Sequence, residues 1–319
     1  MFAIDGLFGG VFTHRYMPLV YAQASQGAIA GSMRTTHDTR HSKLGWISAF
    51  FASSSSEFGC DDNGCDSVPR VDDMRSWIDM LESDHGYAVT LLSERRDVLV
   101  DVLERDDVDA FHQCSMRMFR HVAEATLPNA HRRLLVINVG CVDRLGHVSG
   151  FGGANYYAQV ACLDRQLAFL IDRLWSQRPN STTFLLMSNH GGTGFGHASF
   201  AMQTVEVPFA MWGYGVAQEV DLWDQPTEIE QIGPSLFTAL GYADCIPSTW
   251  LYRPIADMYD DEGYATYAPP LTPIEDVRRE ECAVPQSVDH TSARRAADVY
   301  TYTLLAVTIL MSVIVKRFL

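Results

Sequence analysis

Short apolar runs alternate with longer amphipathic stretches along most of this chain. The short runs have the length of buried strands and lie at residues 2–4, 33–36, 87–92, 98–103, 134–139, 184–187 and 205–212. The longer stretches carry apolar residues at helical spacing and lie at residues 16–29, 43–52, 74–81, 108–125, 155–176 and 229–240. This alternation predicts an α/β domain of three layers, α/β/α, with a central and mainly parallel sheet.

The composition of the chain changes after this alternation ends. Residues 1–258 are expected to form the folded domain, and residues 259–299, which contain many Asp, Glu and Pro residues, to form a stalk. Residues 300–315 are apolar apart from Thr and Ser, and residues 316–319 form a short basic tail. A helix of that apolar length rises about 24 Å, so with its flanking Tyr and Lys side chains it predicts a single transmembrane helix. A buried or interfacial helix is the alternative.

The start of the chain resembles the inside of a domain. The first strand is short and ends at once in Asp5-Gly6, and no signal peptide precedes it. We therefore expect an upstream segment that carries a secretion signal. Together with the sequon at Asn180, this predicts a membrane protein whose folded domain is lumenal or extracellular.

Charge and cysteine content narrow the range of partners. The 319 residues carry a net charge of −15, which argues against a nucleic-acid binding surface because no large basic patch is present. Small phosphorylated molecules remain possible ligands, since bound cations reverse the local field. Seven cysteines are an odd number, so at least one is unpaired or pairs between chains. Cys60 and Cys65 lie close enough to close a small loop, but the sequence does not decide whether they do.

Side chains that bind metal ions follow the apolar runs in the middle of the chain. The run at 134–139 is followed by Asp143 and His147, and the run at 184–187 by Asn189, His190 and His197. Chemistry in an open α/β sheet lies outside the carboxyl ends of the strands, where both clusters fall if these runs are neighbouring strands. Asp5 ends the first strand in the same way. Mixed carboxylate and imidazole ligands favour zinc over manganese or iron.

Ser42 stands immediately before the amphipathic stretch at 43–52. One interpretation is a helix-capping serine, which is a common role at this position. The other is a nucleophile, placed where the helix dipole and free backbone N–H groups stabilise an incoming anion. Position alone leaves both interpretations open.

These motifs together resemble the alkaline phosphatase superfamily, in its type I phosphodiesterase and nucleotide pyrophosphatase branch. The resemblance covers residues 1–255 and is carried by Asp5-Gly, Asp143-Arg-Leu-Gly-His147, Asn189-His190-Gly-Gly and Gly-His197. The family has an aromatic or His, a Gly and an Asn at fixed offsets after its nucleophile. Counting from Ser42 finds Trp46, Gly59 and Asn63 at those offsets. This register favours the nucleophile interpretation of Ser42.

The resemblance implies two divalent metal ions, most commonly zinc, and a phosphodiester or other phosphorylated small molecule as substrate. One ion would be held by Asp143, His147 and His197. The other would be held by Asp5, Ser42, Asn189 and His190. Ser42 would attack phosphorus between the two ions, and Asn63 would bind a phosphoryl oxygen.

The chain departs from the family around the second ion. Asn189 replaces an Asp, which removes one negative charge although an amide oxygen can still ligate a cation, and Leu44-Gly45 replace the usual Pro and Asn. Three hypotheses follow. The first is a membrane-anchored phosphodiesterase or nucleotide pyrophosphatase. The second is a catalytically impaired pseudoenzyme of the same fold, and the third is a lumenal phosphoethanolamine-type transferase.

Overall fold

The computed structural model describes residues 1–35, 42–54, 57, 75–111, 132–178, 181–250 and 252–259. Backbone contacts divide the chain into Met1–Cys282 and Ala283–Leu319, and all the described residues belong to the first unit. The predicted stalk, apart from Tyr259, and the predicted transmembrane helix at 300–315 lie outside the described residues. Across the described ranges, no helix combines the length and the apolar character that a membrane span requires.

Eight strands form one sheet within the described residues. Their order across the sheet is β4-β3-β5-β1-β6-β7-β2-β8, and only β7 runs against its neighbours. The strands are β1 (Phe2–Ile4), β2 (Ala28–Arg34), β3 (Ala88–Ser93), β4 (Val108–Ala110), β5 (Arg133–Val139), β6 (Thr183–Ser188), β7 (Glu206–Gly213) and β8 (Val220–Asp221). The prediction of an α/β fold with a mainly parallel sheet is thus confirmed.

Helices cover both faces of this sheet. The α-helices are α1 (Pro18–Ala24), α2 (Ser42–Phe51), α3 (Trp77–Ser83), α4 (Arg96–Leu103), α5 (Cys141–Ser149), α6 (Ala154–Gln177), α7 (Met202–Val205) and α8 (Ile232–Ala239). Single 3-10 turns occur at Gly9–Val11, Ile229–Gln231, Ala243–Cys245 and Ala256–Met258. Because successive side chains of a strand point to opposite faces, Phe2 and Ile4 pack with α1, α5 and α6, whereas Ala3 packs with α2, α3, α4 and α8.

The strand β1 lies between β5 and β6 and is parallel to both. The sequence prediction treated β5 and β6 as neighbours, and the structure corrects this, because β1 separates them. The correction strengthens the expectation of a shared site. The carboxyl end of β1 brings Asp5 between the residues that follow β5 and those that follow β6.

The helix predicted at 16–29 ends at Ala24, and the strand predicted at 33–36 begins already at Ala28. Two further stretches differ from their predictions in type. The predicted strand at 98–103 lies within α4, where Val98, Leu99, Val102 and Leu103 are buried at helical spacing. The predicted helix at 108–125 begins instead as β4, which pairs with β3 and buries Val108. Residues 112–131 lie outside the described ranges. The error at 98–103 arose because a short apolar run does not by itself distinguish a strand from a buried helix.

Pro208 occupies the interior of the sheet, although proline favours edges and strand starts. It is the third residue of β7, and the register between β7 and β2 shifts between the pairs Phe209–Ala30 and Val207–Met33. A bulge opposite Pro208 removes the need for the backbone N–H that proline lacks. The irregularity in β2 therefore accommodates Pro208 at a central position.

Candidate metal centre

The predicted ligands gather at the carboxyl ends of β1, β5 and β6. Asp5 follows β1, Asp143 lies in the first turn of α5, and Asn189 and His190 follow β6. Gly6 allows this close approach: its φ is +74°, and a Cβ atom there would lie 2.7 Å from Cα of Asp143. Any side chain at position 6 would push the turn after β1 away from α5.

The first cluster consists of Asp143, His147 and His197, whose ligand atoms lie within 4.8 Å of one another. Asp143 and His147 are one helical turn apart, and Nε2 of His147 lies 3.5 Å from Oδ1 of Asp143. The other ring nitrogen, Nδ1, lies 2.9 Å from the carbonyl oxygen of Phe195. A carbonyl can only accept, so Nδ1 carries the proton and Nε2 keeps a lone pair for a cation.

The environment of Asp143 is that of a buried carboxylate suited to binding a cation. Its side chain is buried, and Oδ1 has no hydrogen-bond partner. Burial first, and then the negative charge of Asp5, raise the pKa of Asp143 to about 6. A buried carboxylate oxygen without a partner is costly, so these residues fit a bound divalent cation.

The second cluster consists of Asp5, Asp143 and His190, and it shares Asp143 with the first. Asp5 is fully buried, and its Oδ1 lies 3.2 Å from Nε2 of His190. Burial opposes ionisation of Asp5, but the hydrogen bond and charge of His190 outweigh it and lower the pKa of Asp5. Oδ2 of Asp5 has no hydrogen-bond partner. The rings of His190 and His197 stack with centroids 3.9 Å apart, so the clusters form one centre.

Ser42 is the first residue of α2, and its hydroxyl reaches this centre. Oγ of Ser42 lies 2.9 Å from Nε2 of His190, whose Nδ1 lies 2.8 Å from the carbonyl oxygen of Gly191. The helix N-terminus and the imidazole therefore both face one hydroxyl. Asn63, the predicted ligand of a phosphoryl oxygen, lies outside the described residues, and its role stays a prediction.

Asn189 is fully buried and its amide has a full set of partners. Nδ2 donates to Oδ1 of Asp5 at 3.0 Å and to the carbonyl oxygen of Ser42 at 3.2 Å. Oδ1 accepts from the backbone N–H of His190 at 3.0 Å and from that of Gly6 at 3.4 Å. If the amide were reversed, its oxygen would face the oxygens of Asp5 and Ser42, and its NH₂ group would face the backbone N–H groups of His190 and Gly6. The amide nitrogen therefore faces Asp5, and the oxygen points away from it.

Sequence reasoning missed Arg95, which follows β3 and precedes α4. Its guanidinium NH1 lies 3.9 Å from Oδ2 of Asp5 and 3.8 Å from Oδ2 of Asp143. The aliphatic part of Arg95 crosses Gly140, where a Cβ atom would lie 2.6 Å from Cγ of Arg95. The available signal was positional: β3 pairs with β5, so a residue after β3 reaches the turn after β5. A sequence without a known strand order does not contain this information.

Comparison with known proteins finds similar solved structures but no matching sequence family. No protein-family model matches the chain, and no curated protein matches its sequence. A solved 2-O GAG sulfatase superposes with a TM-score of 0.60 at 12% identity and covers 80% of this chain and 73% of its own. The fold is sulfatase-like.

Two further solved structures agree. A protein connected with the metabolism of multiple glycosaminoglycans by Bacteroides thetaiotaomicron has a TM-score of 0.60 at 12% identity, over 84% of this chain and 77% of its own. A candidate sulfatase from Bacteroides fragilis has a TM-score of 0.53 at 11% identity, over 78% and 75%. Sulfatases belong to the alkaline phosphatase superfamily, and at 11–12% identity the likeness to them shows the fold alone.

Proposed function

We propose that this chain is a metal-dependent hydrolase of the phosphodiesterase or nucleotide pyrophosphatase type, with Ser42 as its nucleophile. The observation that carries the proposal is the 2.9 Å distance between Oγ of Ser42 and Nε2 of His190, at the edge of two candidate ligand clusters. A serine that only begins a helix has no need of a buried imidazole. The sulfatase-like fold supports a hydrolase of this superfamily.

The residues present suit a divalent cation at the first cluster. Oδ1 of Asp143 has no hydrogen-bond partner, and Nε2 of His147 is left free by the contact of Nδ1 with Phe195. A cation bound there would supply Lewis acidity toward a phosphoryl oxygen, and zinc fits ligands of this kind.

The chain's own residues account for the nucleophile. Neutral His190, with its proton on Nδ1 toward the carbonyl of Gly191, accepts the hydroxyl proton at Nε2 while the bond between Ser42 Oγ and phosphorus forms. Asp5 stabilises the imidazolium that results, and His190 passes this proton to the leaving oxygen as the bond from that oxygen to phosphorus breaks. The N-terminus of α2 favours the negative charge that develops on the phosphoryl group. The oxygen of a water molecule then bonds to phosphorus, while His190 takes one of the water protons and returns it to Oγ of Ser42 as the bond between Oγ and phosphorus breaks. Asn63 would bind a phosphoryl oxygen, as the motif register suggests.

Membrane attachment through residues 300–315 and a lumenal or extracellular domain are part of the same proposal. Support comes from Cys141 and Cys162, which both take part in disulfide bonds. Disulfides persist in oxidising compartments such as the secretory lumen. The apolar tail would hold the domain at a membrane surface, where membrane-bound phosphoric esters are within reach.

Hydrolysis of a sulfuric ester is a second candidate function, because the solved neighbours include sulfatases. The test is turnover of a chromogenic aryl phosphodiester and of the matching aryl sulfate by the purified full chain. We expect hydrolysis of the phosphodiester, loss of activity on chelation and loss in Ser42→Ala. Ser176→Ala, at an exposed serine whose hydroxyl contacts only the carbonyl of Arg173 among the described contacts, is the control. Equal rates for wild type and Ser42→Ala would refute the proposal, and turnover of the sulfate alone would select the second candidate.

A further inference from the structure

We propose that Asn189 and Arg95 take the place of the second metal ion, so that this chain binds a single divalent cation, at Asp143, His147 and His197. This inference rests on the proposed metal centre but not on turnover. It departs from the two-ion arrangement that the sequence resemblance implies, and three observations support it.

The first observation is the orientation of the Asn189 amide. A ligand of the second ion must present an oxygen on the same side as Asp5, and this side carries Nδ2, which donates to Oδ1 of Asp5 at 3.0 Å. Amide nitrogen carries no free lone pair and cannot ligate a cation. The hydrogen bonds from Gly6 and His190 to Oδ1 hold the oxygen on the far side. Replacing the family's Asp with Asn therefore exchanges a ligand for a hydrogen-bond donor.

The second observation is the position of Arg95. Its guanidinium lies within ion-pair distance of both Asp5 and Asp143, at 3.9 Å and 3.8 Å. A fixed cation beside Asp5 repels a second divalent ion in a poorly screened interior. Glu94 holds the chain in this position, because its carboxylate accepts from the backbone N–H of Gly140 at 2.9 Å and pairs with Arg144 at 2.8 Å.

The third observation is the balance of charge. The arrangement that the sequence resemblance implies combines three carboxylates with two divalent ions, which gives a net charge of +1. Here Asp5 and Asp143 supply two negative charges and Arg95 supplies one positive charge, so with His190 neutral one divalent ion gives the same net charge. A second ion would give +3 in a buried centre. A single ion therefore gives this centre the same net charge as the two-ion centre that the resemblance implies.

The inference concerns a positioning role for Arg95 and Asn189, since neither residue is placed on the reacting atoms. Their task is to hold the carboxylate of Asp5 oriented toward His190, whose Nε2 lies 3.2 Å from Oδ1 of Asp5. His190 in turn contacts Ser42. The second half of the centre thus becomes a hydrogen-bonded support for the nucleophile.

Metal content measured with zinc alone tests this inference independently of activity. The purified full chain is dialysed against limiting free zinc, and bound zinc is determined by elemental analysis and by calorimetric titration. We expect about one zinc per wild-type chain and about two in the double variant Asn189→Asp with Arg95→Ala. Arg96→Ala is the matched control, because Arg96 donates to the carbonyls of Val108 and Asp106. It should keep the wild-type stoichiometry.

The alternative outcomes are distinct. Two tightly bound zinc ions in the wild type would overturn the inference, as would a folded double variant that still binds one. Circular dichroism verifies folding, and the single variant Asn189→Asp, which changes only an amide to a carboxylate, provides a second test with an expected gain in zinc affinity. A wild type that binds one zinc but shows no turnover would refute the proposed function and leave this inference standing.

Discussion

Oγ of Ser42 and Nε2 of His190 lie 2.9 Å apart, across 148 residues of sequence. The contact joins the start of α2 to the turn after β6. In its neutral form, with the proton on Nδ1 toward Gly191, His190 is a proton acceptor for the candidate nucleophile. Because His190 also contacts Asp5, one imidazole connects the hydroxyl with the centre of the sheet.

Replacement of His190 should lower the reactivity of the Ser42 hydroxyl. We expect His190→Ala to reduce the rate at which a fluorophosphonate labels Ser42 by roughly 10²- to 10⁴-fold, the usual contribution of a general base. Labelling is followed by mass spectrometry. His85→Ala, at a histidine that stacks on Tyr242, serves as the control and should label at the wild-type rate. A His190→Ala variant that is labelled at the wild-type rate would show that His190 is not the general base.

Removal of the metal ion should lower thermal stability. The folded centre holds two buried carboxylates, Asp5 and Asp143, each with an oxygen that has no hydrogen-bond partner. An ion that binds only the folded state stabilises it by about 2.7 kcal/mol at a concentration of 100 Kd. We expect chelation to lower Tm and zinc to restore it, as measured by scanning calorimetry. In His147→Ala the zinc effect should shrink, and an undiminished effect there would place the ion elsewhere.

Gly6 offers a test of the close approach between β1 and α5. Gly6→Ala should destabilise the protein and weaken zinc binding, since a Cβ atom would lie 2.7 Å from Asp143 and the backbone φ is +74°. Gly86 is a matched control: its φ is +69°, and a Cβ atom there would meet nothing within 4 Å. Gly86→Ala should therefore cost only the backbone strain, about 1 kcal/mol, and leave zinc affinity unchanged. Urea unfolding and zinc titration compare the two variants, and equal losses would contradict a steric cause.

Asp164 should give part of the protein's stability an unusual pH dependence. Its buried carboxylate accepts the backbone N–H groups of Val20 at 2.8 Å and Leu19 at 3.1 Å in the first turn of α1. Burial raises its pKa from 3.8 to about 6. Between these values the folded state binds more protons than the unfolded state, so this contribution to the free energy of unfolding falls as pH rises and is lost above about 6.

The variants of Asp164 separate its charge from its hydrogen bonds. Asp164→Asn keeps an accepting oxygen without the charge, so its stability relative to wild type should improve as pH rises from about 4 to about 6. Asp164→Ala leaves two N–H groups unsatisfied and should lose about 1–3 kcal/mol throughout. Urea unfolding across this pH range measures both. A stability difference between Asn and wild type that declines with pH would show that the sign is wrong.

The sequence predicted the part of the site in which metal-binding side chains recur at helical spacing or directly after a strand. Asp143 and His147 are one helical turn apart, and Asn189 and His190 directly follow β6. The proximity of these two pairs could be predicted because residues that follow parallel strands meet at the carboxyl edge of the sheet. The sequence resemblance pointed to Ser42, which the fold brings to His190. The structure joins these residues into one centre, although their metal roles stay predictions.

Other parts of the site depended on tertiary structure. Arg95 reaches the centre only because β3 pairs with β5, and a strand order that inserts β1 between β5 and β6 is not visible in local periodicity. The orientation of Asn189 depends on four partners from separate parts of the chain. Propensity also failed at 98–103, where burial on one side of a helix produced a run that resembles a strand.

The central position of β1 has a consequence for synthesis and folding. Asp5 is translated well before its partner Asn189, which follows 184 residues later. A growing chain therefore leaves at least one edge of β1 unpaired until β6 has been translated, and contacts so distant in sequence slow folding. No nascent chain that ends before the turn after β6 can assemble the centre. Binding of a metal ion at Asp143, His147 and His197 would thus report that the segments after β5 and β6 have come together beside β1.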